Sequence, residues 1–298
     1  MPNCIMKNPF KKNRPGFTLL ELLVAMTITT IIVTVLISIT AIAVDVWNRS
    51  RSELRAARQA KSMVDTMARD LESLVVRIGN NYQWLTAETD RPENSSNAAR
   101  LIFYTAATDR YEGELGTARD EGGDVSCVGY QLDWEDPLYS GGTQKFETFV
   151  LYRRLVDPKP VFVNLLGKED LVQAFDSLGG RMQADENFVC ENIYQFTITF
   201  HVDIPSKTSP PGPPEQRRLV IQPSGGKSEF RVTGNGIVTL PAEEELRAAK
   251  LKSVGISLTV LSDSAIDQLR KRPVLKDDAA WLTKNSFQYS KQVHLPGM

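Results

Sequence analysis

The chain reads Gly16-Phe17-Thr18-Leu19-Leu20-Glu21 and continues without a break through FTLLELLVAMTITTIIVTVLISITAIAV, residues 17–44. Glu21 is the single charge in that run. About 20 apolar residues suffice to cross a bilayer, so the stretch can span one with length to spare. Its Ile, Val and Thr content would favour a strand in water. In lipid, an isolated segment can satisfy its backbone only as a helix, and the solvent overrides the propensity.

Orientation follows from the flanks. Residues 1–16 hold Lys7, Lys11, Lys12 and Arg14 and no acid, and the positive-inside tendency keeps such a leader cytoplasmic. No second run of comparable length follows, so the expected topology is single-pass. Glu21 is the anomaly. A carboxylate at mid-span costs roughly 2.5–3.5 kcal/mol on insertion scales, less near an end, and such residues are usually paired or functional. Phe17 and Glu21 are four residues apart, on one helix face. A cut before Phe17 would create an α-amine beside that carboxylate, and a neighbouring subunit would offer a second.

The basic leader, Gly16, Phe17, Thr18, Leu19, Leu20, Glu21 and the apolar helix together resemble the class III signal of type IV prepilins and pseudopilins. The resemblance implies that a prepilin peptidase/methyltransferase cuts after Gly16 and methylates Phe17. It implies that Glu21 pairs with the N-terminal amine of an adjacent subunit during filament assembly. The competing readings are an ordinary signal anchor with an incidental glutamate, and a secretory signal peptide cut near Ala41-Ile42-Ala43. The second requires an apolar run far longer than a signal peptide carries.

Beyond Val44 the pattern turns amphipathic. Leu54, Ala57, Ala60, Val64, Met67, Leu71, Leu74 and Ile78 recur at three- and four-residue spacing, with Asp65, Arg69 and Asp70 among the charges placed off the stripe. The stripe predicts a helix to Ile78, stopping at Gly79-Asn80-Asn81 and buried against its own domain. From residue 100 the runs become strand-like: 101–105, 127–132, 149–155, 193–202 and 254–261, with shorter ones at 218–221 and 230–232. Helical pieces are expected at 168–177, 242–251 and 264–271. The fold class is therefore α+β, a long N-terminal transmembrane helix and stalk packed on a mainly antiparallel β-sheet. Expected boundaries are a cleaved leader at 1–16, membrane helix 17–44, amphipathic stalk 45–79, pilin-like globular domain 80–283 and a C-terminal tail at 284–298. Pro210, Pro211, Pro213 and Pro214 mark a loop interrupting the sheet. The strand order is similar to large minor pseudopilins of the J type and minor pilins of the W type. The length and Pro/Gly-rich insertions also resemble Verru_Chthon cassette pilin-like proteins.

Composition narrows the function classes. Four of the 35 basic residues lie in 1–16, leaving 31 against 36 acids, a formal −5. That balance lacks the basic stripe of a nucleic-acid binder, so no nucleic acid is expected. Cys127 and Cys190 follow the leader's Cys4, and the reading stays open between one disulfide and two buried free thiols. His201 and His294 are the two histidines and lack a metal-ligand spacing. His201 reads as a solvent-facing or edge residue. Gly226-Lys227-Ser228 ends like a phosphate loop, but Ile221 occupies the earlier glycine position. Asp120-Glu121-Gly122-Gly123-Asp124 reads as a solvated acidic turn, with weak calcium binding by its carboxylates the alternative left open. No metal, cofactor or catalytic residue is assigned.

The resemblance thus implies a minor pseudopilin-like structural subunit of a type II secretion filament, at its tip or in its priming complex. Its partners would be the prepilin peptidase, other pilin or pseudopilin subunits, an inner-membrane assembly platform and the lipid bilayer. The body would be periplasmic. Alternatives are a minor pilin of a type IV pilus serving adhesion, motility or DNA uptake, and a membrane-tethered binding domain that never assembles.

Overall fold

The structure is a computed structural model describing residues 18–92, 94–107, 123–137, 146–206, 212–222 and 227–295. The chain divides into two compact units, Met1–Arg51 and Ser52–Met298. One helix, α1 (Leu19–Glu72), contributes to both. In the first unit its apolar side chains, from Leu19 to Trp47, are exposed. The hydroxyls of Thr27, Thr29, Thr30, Thr34, Ser38 and Thr40 each donate to a carbonyl three or four residues back, at 2.7–2.9 Å. The helix is long and apolar enough to cross a membrane, and its polar side chains need no partner from lipid.

In the second unit, Ala56, Ala60, Met63, Val64, Met67, Ala68 and Leu71 of α1 are buried. The stripe is thus a core face, while its predicted ends, Leu54 and Ile78, are exposed. The helix stops at Glu72, short of Ile78. Leu74 forms a bridge with Thr105 and Val75 N–H donates to the Tyr104 carbonyl at 2.9 Å, so a strand edge takes over where β-branched Val75 and Val76 begin.

Two antiparallel sheets follow. The larger runs β5-β4-β3-β2-β1-β8-β9, from β1 (Gln83–Thr89), β2 (Ala99–Thr105), β3 (Ser126–Glu135), β4 (Thr148–Val156), β5 (Phe188–Glu191), β8 (Glu229–Thr233) and β9 (Gly236–Leu240). The smaller runs β11-β10-β6-β7, from β6 (Ile193–Ile204), β7 (Glu215–Val220), β10 (Lys250–Leu261) and β11 (Ser286–His294). They meet through Phe200 stacked on Phe230, centroids 3.9 Å apart, and Phe149 edge-on to Tyr194 at 5.5 Å. Every long strand expected from the sequence is present, divided between two sheets. The C-terminal segment differs most, since residues 286–294 pair with β10 along their full length. Its alternation is masked because Lys291 stands in the row of Phe287, Tyr289 and Val293, where Asp65 of α1 meets it at 2.9 Å. Segment 242–251 forms only a 3-10 turn, Glu244–Ala248, before β10 begins.

The larger sheet is covered on both faces, as alternation along β3 shows. Tyr130 faces α1. Gly129 faces the helix Leu171–Ser177, where a Cβ at position 129 would lie 2.7 Å from the Phe175 ring. Gly129→Ala should therefore destabilise by about 1–3 kcal/mol through overpacking, read as a lower urea midpoint at unchanged slope. Adding Phe175→Leu should recover part of the loss.

The α1 face of that sheet holds a buried charge cluster. Asp70 and Arg153 are 4 % and 3 % exposed. Arg153 Nε and Nη2 donate to the Asp70 carboxylate at 2.8 and 3.0 Å, and the Tyr130 hydroxyl donates to the same carboxylate. Burial and the Asp70 charge push the Tyr130 phenol well up. Thr105 Oγ1 donates to the Asp70 carbonyl at 2.9 Å, fixing the last turn of α1 to β2. Asp70 is three residues from Met67 and four from Leu74, so the helical spacing itself puts it on the buried face. Arg55 adds surface ties, to Glu191 at 3.3 Å and Asp263 at 3.6 Å, each of small worth.

Candidate functional site

The candidate site is the start of α1. Thr18 is the first described residue, and Leu22 N–H donates to its carbonyl at 3.2 Å. Glu21 Oε2 accepts from Thr18 N–H and from Thr18 Oγ1, both at 3.0 Å, while Glu21 N–H donates to Thr18 Oγ1 at 3.3 Å. This is a reciprocal capping box, in which one side chain at each end satisfies a backbone donor of the first turn. The negative charge also sits at the positive end of the helix dipole. Pairing Glu21 with an amine leaves Thr18 out of account, although Thr-x-x-Glu is a helix-start signature in its own right. Gly16 and Phe17, the residues expected at the cleavage and methylation site, lie outside the described residues.

Glu21 is therefore only half engaged by its own helix. Oε2 is engaged within its own helix, and no hydrogen bond reaches Oε1 among the described residues. A carboxylate held this way has its rotamer set and one oxygen to offer outward.

Residues 11–43 match the family model described as "Prokaryotic N-terminal methylation motif". The chain carries a prokaryotic N-terminal methylation motif. That motif implies processing by a prepilin peptidase and assembly with other pilin subunits, and it supports a structural subunit of the pilin or pseudopilin type. Carried on one N-terminal apolar helix, it suggests membrane anchoring. The long helix followed by antiparallel sheets is an α+β architecture consistent with a pilin-like fold. Neither the curated proteins nor the solved structures contain a match to this chain.

The other sequence candidates are placed apart from this site. Cys127 and Cys190 are free and buried. Cys127 lies opposite Val156 and Cys190 opposite Leu151, five positions apart along the intervening β4. That offset is about 17 Å at strand rise, against a limit of about 7 Å between bridged Cα atoms, so the disulfide left open by the sequence is not formed. Burial pushes the Cys190 thiol up to about 12 and the Cys127 thiol further. Both should resist alkylation in the native protein and take label without reductant once denatured, as mass spectrometry would read; a requirement for reductant would restore the disulfide.

Lys227 bonds Glu88 at 2.8 Å and Glu229 at 2.9 Å, which makes it a tie between β1 and β8 rather than a phosphate ligand. Gly226 and residues 120–122 of the acidic turn lie outside the described residues. His201 is half-buried on β6, between β10 and β7, so it is not on a sheet edge. Among the described residues no group of three His, Cys, Asp or Glu side chains is placed to hold a metal.

Proposed function

We propose that this chain is a minor pseudopilin-like structural subunit of a type II secretion filament, at the tip or in the priming complex. The observation that carries the proposal is the methylation motif over residues 11–43, joined without a break to the apolar helix that presents Glu21. In this reading the leader is cytoplasmic and the body periplasmic, with α1 holding the subunit in the inner membrane until extraction. Cleavage follows Gly16, Phe17 is N-methylated, and Glu21 receives the amine of a neighbouring subunit. The carboxylate is tolerable near the membrane because Thr18 satisfies one oxygen and an amine can satisfy the other. An inner-membrane platform and fellow pseudopilins are the partners. A bulky two-sheet body fits poorly along a packed shaft, which supports a tip or priming position over a repeated one. A type IV pilus minor pilin would share the same leader.

The test is N-terminal mass spectrometry of the protein from its native host. N-methyl-Phe17 is the expected start; an intact Met1 start would sink the proposal. Crosslinking to secretion pseudopilins, as against pilus subunits, would then choose the machine.

A further inference from the structure

On the outer face of the smaller sheet, strand register sets Arg218 of β7, His201 of β6, Ser253 of β10 and His294 of β11 in one row. These are both histidines of the chain, 93 positions apart in sequence. Lys250 lies one row on, opposite Asp203. A bulge between Leu251 and Ser253 inserts Lys252 beside them, as bulges re-aim a side chain. With strands about 4.8 Å apart, the five basic side chains root within roughly 15 Å across the sheet. Asp203 is the carboxylate set among them. Lys252 meets its Oδ2 at 3.5 Å, and its Oδ1 is buried.

Arg218 and Lys250 are exposed. Among the described residues no ion pair reaches Arg218 or Lys250. By contrast, neighbouring Arg217 is held by Glu215, Glu243 and Glu245, and Lys227 and Arg231 by Glu229. Beside the basic row the same face continues as Thr199, Gly255 and Gln292, then Thr197, Ser257 and Ser290. These side chains are uncharged, with Thr199, like Ser253 of the row, buried among its neighbours. A cationic end on a neutral platform suits a partner whose carboxylates meet the row while its backbone lies on the sheet.

We propose that this face docks an acidic segment of the adjoining filament subunit. The inference rests on the filament reading above. Charge favours a short acidic protein segment over a long polyanion, because a body with formal charge −5 outside the leader disfavours an anion that extends well beyond this row.

The first experiment measures fluorescence anisotropy of a labelled hexaglutamate peptide with the purified full chain in uncharged detergent. Binding is expected to weaken at least tenfold in Arg218→Glu/Lys250→Glu and on raising salt from 50 to 300 mM. The melting temperature should not change, both side chains being exposed. In the native host, a photo-crosslinker at position 218 should capture an acidic peptide of a filament subunit. Hexaglutamate binding that is absent, or unchanged by charge reversal, overturns the proposal. So does tighter binding of duplex DNA or of anionic vesicles, or a crosslinked peptide lacking acids. The peptide arm does not depend on processing, so an unprocessed N-terminus alone would fail the filament reading and leave the docking face to stand on its own result.

Discussion

Arg153→Ala is expected to cost about 3–5 kcal/mol, the penalty for breaking a buried ion pair and leaving one charge without its partner. The stranded group is the Asp70 carboxylate, 4 % exposed in the last turn of α1, where the helix dipole also disfavours a negative charge. Tyr130 would remain as a donor, too little for a full charge. For a body of this size the loss corresponds to a fall in melting temperature of roughly 6–20 °C, measurable by scanning calorimetry in detergent. Asp70→Leu/Arg153→Met should recover most of it, because replacing both partners removes the desolvation cost along with the attraction. A melting temperature for Arg153→Ala within 1 °C of the parent would show that the cluster does not hold α1 to the sheet.

Glu21→Ala is expected to leave cleavage before Phe17 intact and to lower incorporation into filaments at least tenfold, since the variant offers no carboxylate to a neighbour's amine. It also removes the capping box, worth about 0.5–2 kcal/mol of helix-start stability, so one variant cannot separate capping from the proposed pairing with an amine. Glu21→Gln can. Glutamine retains an oxygen for the Thr18 N–H but carries no charge. Assembly should fail in Glu21→Gln as it does in Glu21→Ala, read by quantifying the subunit in sheared filament fractions. Parental incorporation of Glu21→Gln would assign the residue to capping alone. Retained incorporation of both variants would favour a tethered domain that does not assemble.

Much of this was legible in the chain itself, and for identifiable reasons. The span from Phe17 to Val44, the basic flank and the Thr18–Glu21 start depend on neighbours within four positions and on the solvent, lipid or water, that a segment meets. Strands such as 101–105 and 149–155 declare themselves by β-branched and aromatic residues. Charge alone puts Asp70 on the outer face, although its spacing from Met67 and Leu74 lies on the buried stripe. β11 is hidden in the sequence because the lysine in its inward row is explained only by Asp65, on a helix more than 220 positions earlier.

Sequence alone thus determined the long apolar helix, its basic flank, the methylation motif and the α+β class, all of which follow from local periodicity and local chemistry. Tertiary structure decided the division into two sheets, the fate of the two thiols, the Asp70–Arg153–Tyr130 cluster and the row joining His201 to His294. Each of those depends on which strands are neighbours and in what register. A one-position slip there moves every side chain to the other face, and that information is carried by long-range packing rather than by any window of the chain.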